Sequence, residues 1–396
     1  MQKMATLVLK SGREKSILNQ HPWIFSGAVK QLPNAENGEI VEVRDNHQQI
    51  LGYGFFSPKS QIICRMFQFG NTIFQTFDAH YWAQKIENAY LMRKKYVLNA
   101  HTTTCRLLHA EGDGIPGIIA DMYDKVLVVQ VLTKGVERIF GLLLEAFTKL
   151  GFEYIYLKTK QNSAFLEEVN LEAGWLQNTW DMPLIVQEHG QKFRVEVEKG
   201  QKTGFFIDQR ENRQLLKTYS TDKNILNAFA YTGGFSVYAL QGNAKQVTSV
   251  DISKDACAIC EENIQLNFEE AQSKQHEAIA ADCFDYLRQT DQRYDLIVLD
   301  PPAFAKNARA VQNAARGYKD LNLLAFKNLQ PNGILFTFSC SGNIDRDLFR
   351  KIVFSAAADS RRQVRIMHQL TQPLDHPISI YHPEGEYLKG LVLHVS

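Results

Sequence analysis

Much that would place this chain in a specialised class is missing from it. No apolar run approaches the ~20 residues needed to cross a bilayer. The start offers only Ala5-Thr6-Leu7-Val8-Leu9 as an apolar core, too short for a secretory signal, so a cytoplasmic protein with no membrane partner is expected. Cysteine is sparse: six in 396 residues, scattered, which argues against a disulfide framework. Cys257-Ala258-Ile259-Cys260 is a CxxC with no second pair and no histidine pair at zinc spacing. It reads as two small buried residues one helical turn apart, and no metal site is expected. There is no large net charge, only +1, but the charge is unevenly spread. Residues 1–100 carry 12 Lys+Arg against 7 Asp+Glu, and the remainder 32 against 36. A basic front half suits contact with phosphates. Repeats and low-complexity tracts are absent too. At 45% apolar and 22% charged, the chain reads as two or three globular domains.

Residues 1–75 read as short strands separated by turns. Gly38–Asp45, Gln49–Phe56 and Gln61–Phe67 alternate apolar and polar positions, the pattern of a small half-buried barrel. His21-Pro22-Trp23-Ile24-Phe25-Ser26-Gly27 follows Lys10, Arg13 and Lys15. Basic residues beside aromatics suit irregular RNA, by charge and by stacking. For Trp23 and Phe25 the favoured reading is barrel core, which is compatible with RNA binding by the basic residues. Residues 76–185 form an α+β module. A helix from Asp78 to about Val97 ends in Arg93-Lys94-Lys95, for phosphate contact or for the helix dipole. Strand-turn-strand follows around Glu111–Gly117, and a helix over 136–150 places Ile139, Leu142, Leu143, Ala146, Phe147 and Leu150 on one face. His109, Glu111 and Asp113 could touch a substrate, but a solvated acidic turn is the favoured reading.

From about residue 186 strand and helix alternate. Apolar runs at 225–229, 246–250, 277–281, 296–299 and 334–338 point to a parallel sheet covered on both faces. Two later runs, Gln363–His368 and Tyr387–His394, have no helical pattern between them and predict a strand hairpinned into the sheet. Such sheets bind ligands beyond the carboxyl ends of their strands. The first strand leads into Phe229-Ala230-Tyr231-Thr232-Gly233-Gly234, a glycine turn that is not GxGxxG, which disfavours a dinucleotide. Asp251 ends the second strand, poised for ribose hydroxyls; Asp282-Cys283 ends the third, where a carboxylate could meet an adenine amino group. Asp300-Pro301-Pro302-Ala303-Phe304 ends the fourth, and Ser339-Cys340-Ser341 the fifth. Acids after strands two, three and four with a glycine turn after strand one form the pattern of an S-adenosylmethionine site. Its expected cofactor-binding residues are Gln209, Phe229, Tyr231, Thr232, Gly233, Gly234, Asp251, Asp282, Cys283 and Asp300.

Asp300 and Cys340 are the expected catalytic pair. Carbon 5 of cytosine is a poor nucleophile. A thiolate adding to C6 makes it enamine-like, splitting one hard step into two, and Asp300 could hydrogen-bond N3 and the exocyclic amine. The segment Gly200–Arg210 suits a lid or strand near the cofactor. Lys306, Arg309, Arg316 and Lys319 could steer RNA phosphate toward the site, or face solvent on a helix.

Along nearly its whole length the chain resembles the bacterial 23S ribosomal RNA 5-methylcytosine methyltransferases, the large-subunit methyltransferase I group. The matching stretches are His21–Gly27, Glu111–Gly117, Thr203–Arg210, Asn227–Gly234, Asp300–Phe304, Ser339–Gly342 and Tyr381–Lys389. The resemblance implies an N-terminal PUA domain, a central α+β domain and a C-terminal Rossmann-like, seven-stranded methyltransferase, with Cys340 as nucleophile. It implies 23S rRNA or a large-subunit assembly intermediate as partner and leaves a homodimer open. Many 5-methylcytosine enzymes carry a second cysteine after the proline of the Asp-Pro motif, for product release. Here Pro302-Ala303 stands instead, and the releasing base is unassigned. Two other readings remain: a guanine-nitrogen methyltransferase with Cys340 structural, and an RNA-binding assembly factor with a vestigial pocket.

Overall fold

The computed structural model describes residues 4–71, 76–159, 167–305 and 307–396. Contacts divide the chain into two compact units: Met1–Leu184 with Val195–Gly204 and Leu374–Gly385, and Ile185–Arg194 with Phe205–Pro373 and Glu386–Ser396.

The first unit begins with a six-stranded sheet ordered 23–25, 62–69, 50–56, 40–44, 6–9, 29–31. Its interior is the inward half of each alternating strand: Leu7, Leu9, Ile24, Val41, Val43, Cys64 and Met66. Ile24 takes the core position in Trp23–Phe25, so the reading of Trp23 and Phe25 as barrel core is corrected. With period-two alternation one neighbour buried puts both others outside; Phe25 is 48% exposed. Phe55 and Phe67 lie in a second core, against Trp82 (ring centroids 5.8 and 5.0 Å) of the helix Ala79–Tyr96. Asp78 caps that helix, accepting from the Tyr81 amide at 3.0 Å. The same core continues into a five-stranded sheet ordered 174–177, 154–157, 126–131, 118–123, 104–109, covered by the helix Lys134–Lys149.

Among the ion pairs inside this unit, two centre on Arg93 and Arg106. Arg93, at the end of the first long helix, is fully buried. It grips both Asp113 oxygens at 2.5 and 2.8 Å and donates to the Asp375 and Arg106 carbonyls. Arg106 does the same to Asp121 at 2.8 and 3.0 Å. Arg93 therefore contacts neither phosphate nor solvent, and Asp113 is not part of a solvated turn: removing a guanidinium from water is tolerable only with a bidentate carboxylate partner. Glu111 accepts from Trp23 Nε1 at 2.8 Å, and His382 packs on the same indole (centroids 4.5 Å).

The second unit is built on one seven-stranded sheet: β1 (Asn224–Ala228), β2 (Gln246–Asp251), β3 (His276–Ala280), β4 (Tyr294–Leu299), β5 (Leu329–Ser339), β6 (Val364–Leu370) and β7 (Lys389–Val395). The order is β3-β2-β1-β4-β5-β7-β6, with β7 antiparallel to both neighbours and the first five parallel. β1 is central, and the order reverses at its C-terminal end. That is where a crevice opens in such sheets. The apolar runs of β1, β4 and β5 are buried because helices cover both faces.

Candidate active site

The crevice end of β1 is a tight, preformed turn. Phe229 (φ 61°), Tyr231 (φ 48°) and Gly233 (φ 77°) all sit in the left-handed region. Two of these are not glycine, a conformation that costs energy and persists only where surroundings enforce it. The enforcement is explicit. The Phe229 amide donates to Cys283 Sγ at 3.1 Å, Ala230 N to the Val250 carbonyl at 3.0 Å, and Tyr231 N to Asp251 Oδ2 at 2.8 Å. Asn263 Nδ2 holds the Thr232 carbonyl at 2.8 Å. Gly233 is required sterically as well: a Cβ there would stand 2.3 Å from Cys260 Sγ.

The residues present fit an adenosyl cofactor. Thr232 Oγ1 is buried in the turn without a partner among the described residues, an orphan of the kind a ligand satisfies. Asp251 is half-buried at the end of β2, with Oδ1 on the Ser253 amide and Oδ2 on that of Tyr231. Asp282, exposed, spends Oδ1 capping the helix Cys283–Gln289. Cys283 is buried, donates to the Val250 carbonyl at 3.4 Å, and burial pushes its thiol up to about 12, so it shapes the turn as a neutral group. Gln209 is buried in the 3-10 turn Ile207–Gln209, its Oε1 accepting from Asn212. The Phe206 ring meets that of Tyr231 edge-on at 5.0 Å.

One strand over, β4 and β5 run in parallel with Leu299 opposite Thr337, which brings the two following loops side by side. Cys340 Sγ lies 3.9 Å from the Pro301 carbonyl, so the thiol touches the Asp300-Pro301-Pro302 turn. Cys340 is half-buried; the other five cysteines are buried. The loops are tied together by Ala305 N to Ser341 Oγ at 3.3 Å, Asn343 Nδ2 to the Ala305 carbonyl at 3.3 Å, and Tyr318 OH with Ser341 Oγ at 3.1 Å. Phe304 turns away to pack on Tyr318, centroids 4.5 Å apart.

The structure thus brings Cys340 and the Asp300 turn together, and gathers Phe229–Gly234, Asp251 and Cys283 around the end of β1. The basic residues are dispersed. Lys10, Arg13 and Lys15 are exposed on the barrel, Lys10 donating to the Gly27 carbonyl. Arg316 is exposed on the helix Val311–Asn328, and Lys319 pairs with Asp359 at 2.7 Å. Lys306 lies outside the described residues. Trp23 is engaged with Glu111 and His382. Sequence reasoning missed Lys389. It opens β7 and is buried, with Nζ donating to the Ser341 carbonyl at 2.7 Å and the Tyr387 carbonyl at 2.8 Å. A buried lysine in an otherwise apolar strand (Gly390-Leu391-Val392-Leu393) was the available signal.

Residues 7–69 match the model of a PUA-like domain and residues 157–378 that of an S-adenosylmethionine-dependent methyltransferase. The ribosomal RNA large subunit methyltransferase I of Cronobacter sakazakii is 38% identical over 98% of this chain and 99% of its own. That of Tolumonas auensis is 40% identical over 98% of both. Among solved structures, a methyltransferase complexed with S-adenosylhomocysteine superposes with a TM-score of 0.86 at 24% identity, covering 99% of this chain and all of its own. A methyltransferase from Streptococcus mutans gives 0.85 at 23%, with the same coverage. With S-adenosylmethionine as its cofactor, the chain belongs to the ribosomal RNA large subunit methyltransferase I family.

Proposed function

We propose that this enzyme methylates carbon 5 of a cytosine in 23S ribosomal RNA, free or in a large-subunit assembly intermediate, through a covalent bond between Cys340 and C6. S-adenosylmethionine supplies the electrophilic methyl group. It would be held by the Phe229–Gly234 turn, Asp251 and Asp282. Cys340 as thiolate adds to C6, and the electron pair of the C5–C6 double bond moves toward C5, which becomes the nucleophile. Asp300, which follows β4, would bond the pyrimidine edge and orient the ring.

The observation that carries this reading is the half-buried Cys340 thiol against the Asp300-Pro301-Pro302 turn. A guanine-nitrogen or other amine methylation needs no thiol there. An aromatic after the Asp-Pro-Pro turn holds the amine in such enzymes, whereas Phe304 is displaced by Ala303 and packs on Tyr318. The test is to digest RNA methylated by the enzyme and identify the nucleoside by mass. 5-Methylcytidine is the expected product, and methylguanosine would sink the reading. RNA carrying 5-fluorocytosine at the target should form an adduct with Cys340 that survives denaturation, because the fluorine cannot leave as a proton does.

We also propose that residues 1–75 follow RNA phosphates, residues 76–185 support the substrate and residues 186–396 do the chemistry. Replacing Lys10, Arg13 and Lys15 together by alanine should weaken RNA binding and flatten its salt dependence. The log–log slope should fall by roughly 0.7 for each phosphate that is no longer neutralised, measured by titration over a range of salt. S-adenosylhomocysteine affinity should stay unchanged. A variant with wild-type salt slope would remove these three residues from the RNA surface.

A further inference from the structure

Lys389 is a strange residue for its position. Apart from the half-buried His394, the rest of β7 is apolar and buried, and an ammonium placed there loses its hydration. The antiparallel register sets Lys389 directly opposite Ser339, the residue before Cys340. Its Nζ then reaches past Cys340 to the carbonyl of Ser341, the residue after it, at 2.7 Å, with a second bond to the Tyr387 carbonyl at 2.8 Å. The lysine therefore spans the turn that carries the thiol, anchored on both sides of it. Two carbonyl acceptors and a buried amine describe a group held in place by donating hydrogens.

Other charges face the same amine. Glu386 is near, but it is paired with Arg346, whose positive charge opposes it. Asp345 is also near and caps the helix Arg346–Ser360 through the Leu348 amide at 2.7 Å. Tyr318 enters from the helix side with its hydroxyl on Ser341. With Ser339 opposite its backbone and Ser341 on its Nζ, Lys389 brackets Cys340, and a negative charge on that thiol would help keep the amine protonated. The two residues are therefore electrostatically linked.

We propose that Lys389 is a positioning residue for Cys340: its ammonium fixes the Ser339–Ser341 turn and supplies the positive charge that holds Cys340 as a thiolate. In the activating step Sγ–H gives its proton to solvent and the sulfur keeps the electron pair; Lys389 transfers nothing and stays charged. A cation beside a thiol lowers its pKa, and only the thiolate is nucleophilic. Burial pushes the Lys389 amine itself down to about 8. The sign of the pH effect follows: the ammonium–thiolate pair exists between the Cys340 midpoint and about pH 8, and above that the amine loses its proton and the turn its charge.

This role rests on the reading of Cys340 as the nucleophile, but its test uses neither RNA nor cofactor. The rate of Cys340 alkylation by iodoacetamide is followed against pH in the full-length protein, with the adduct located by mass and Cys340→Ser as the blank. The other five thiols interfere little, since all are buried, and burial pushes Cys64 and Cys283 up to about 12 and raises Cys257 and Cys260 as well. The wild-type midpoint should fall below the ~8.5 of a free cysteine. Lys389→Met should raise it by about 1 pH unit or more, and Lys389→Arg, which keeps the charge, should restore it. A Lys389→Met protein that is folded by circular dichroism and has the wild-type midpoint overturns the proposal. So does a wild-type midpoint at or above ~8.5, which decides the matter even if the methionine variant fails to fold. Absent fluorocytosine trapping with a low Cys340 midpoint would sink the cytosine reading instead and leave the thiolate pair standing.

Discussion

Cys340→Ala is expected to reduce methyl incorporation by roughly 10³-fold or more while leaving S-adenosylhomocysteine affinity within about twofold. The size follows from what the thiol does. Without the bond to C6 the pyrimidine has no carbon nucleophile, so the loss falls on the chemical step and not on binding. The structural cost should be small, because Cys340 is half-buried and lies at a strand end. The cofactor turn is held by other groups, through Cys283, Val250, Asp251 and Asn263. Cys283→Ala is the instructive control. Cys283 is buried and accepts the Phe229 amide, so its loss should lower stability and cofactor affinity while sparing the chemistry of whatever complex still forms. Tritiated methyl transfer to RNA and calorimetric titration with S-adenosylhomocysteine separate the two. A Cys340→Ala enzyme with more than about a tenth of wild-type turnover would remove the covalent route.

The cofactor side of this enzyme was legible in its sequence because it is local. Each of β1 to β5 announces itself as an apolar run, and each candidate group stands in the few residues that follow, where the crevice of a parallel sheet must be. Even the hairpin of β7 with β6 was readable, although the insertion of β7 between β5 and β6 was not. What stayed hidden depends on pairs distant in the chain. Arg93 looked like a phosphate ligand at a helix end, yet its partners are Asp113 and, 282 residues away, the Asp375 carbonyl. Arg65, counted with the basic front half, is buried against Glu167 at 2.8 Å. The surface of residues 1–100 is therefore less basic than its composition suggests. Trp23 was misread for the opposite reason: an aromatic in a strand is assumed to be core, but Ile24 holds the inward position and the indole finds its carboxylate 88 residues away. Lys389 combines both difficulties, since its meaning lies in strand register across a sheet.

Glu188→Ala is expected to destabilise the protein by about 3–5 kcal/mol, the cost of leaving a buried cation without its partner. Glu188 ends the strand Leu184–Glu188 and is fully buried. Both its oxygens engage Arg213, at 2.8 and 2.7 Å, while Arg210 stands 3.8 Å away and Tyr238 OH donates at 3.1 Å. Truncation would leave the buried Arg213 guanidinium without its carboxylate. Part of the loss should return in Glu188→Leu/Arg213→Met, where apolar groups of similar volume replace the pair. That double variant should fail differently, because Arg213 also supports the active site. Its Nη1 donates to the Phe206 carbonyl at 2.9 Å, and its side chain packs against the glycine turn so closely that a Cβ on Gly234 would lie 3.1 Å from Cδ. Urea midpoints should therefore rank wild type first, the double variant next and Glu188→Ala last. The midpoint gain on adding S-adenosylhomocysteine should shrink in both variants, because ligand stabilisation falls as Kd rises. A Glu188→Ala protein within about 1 kcal/mol of wild type would mean that water reaches the pair.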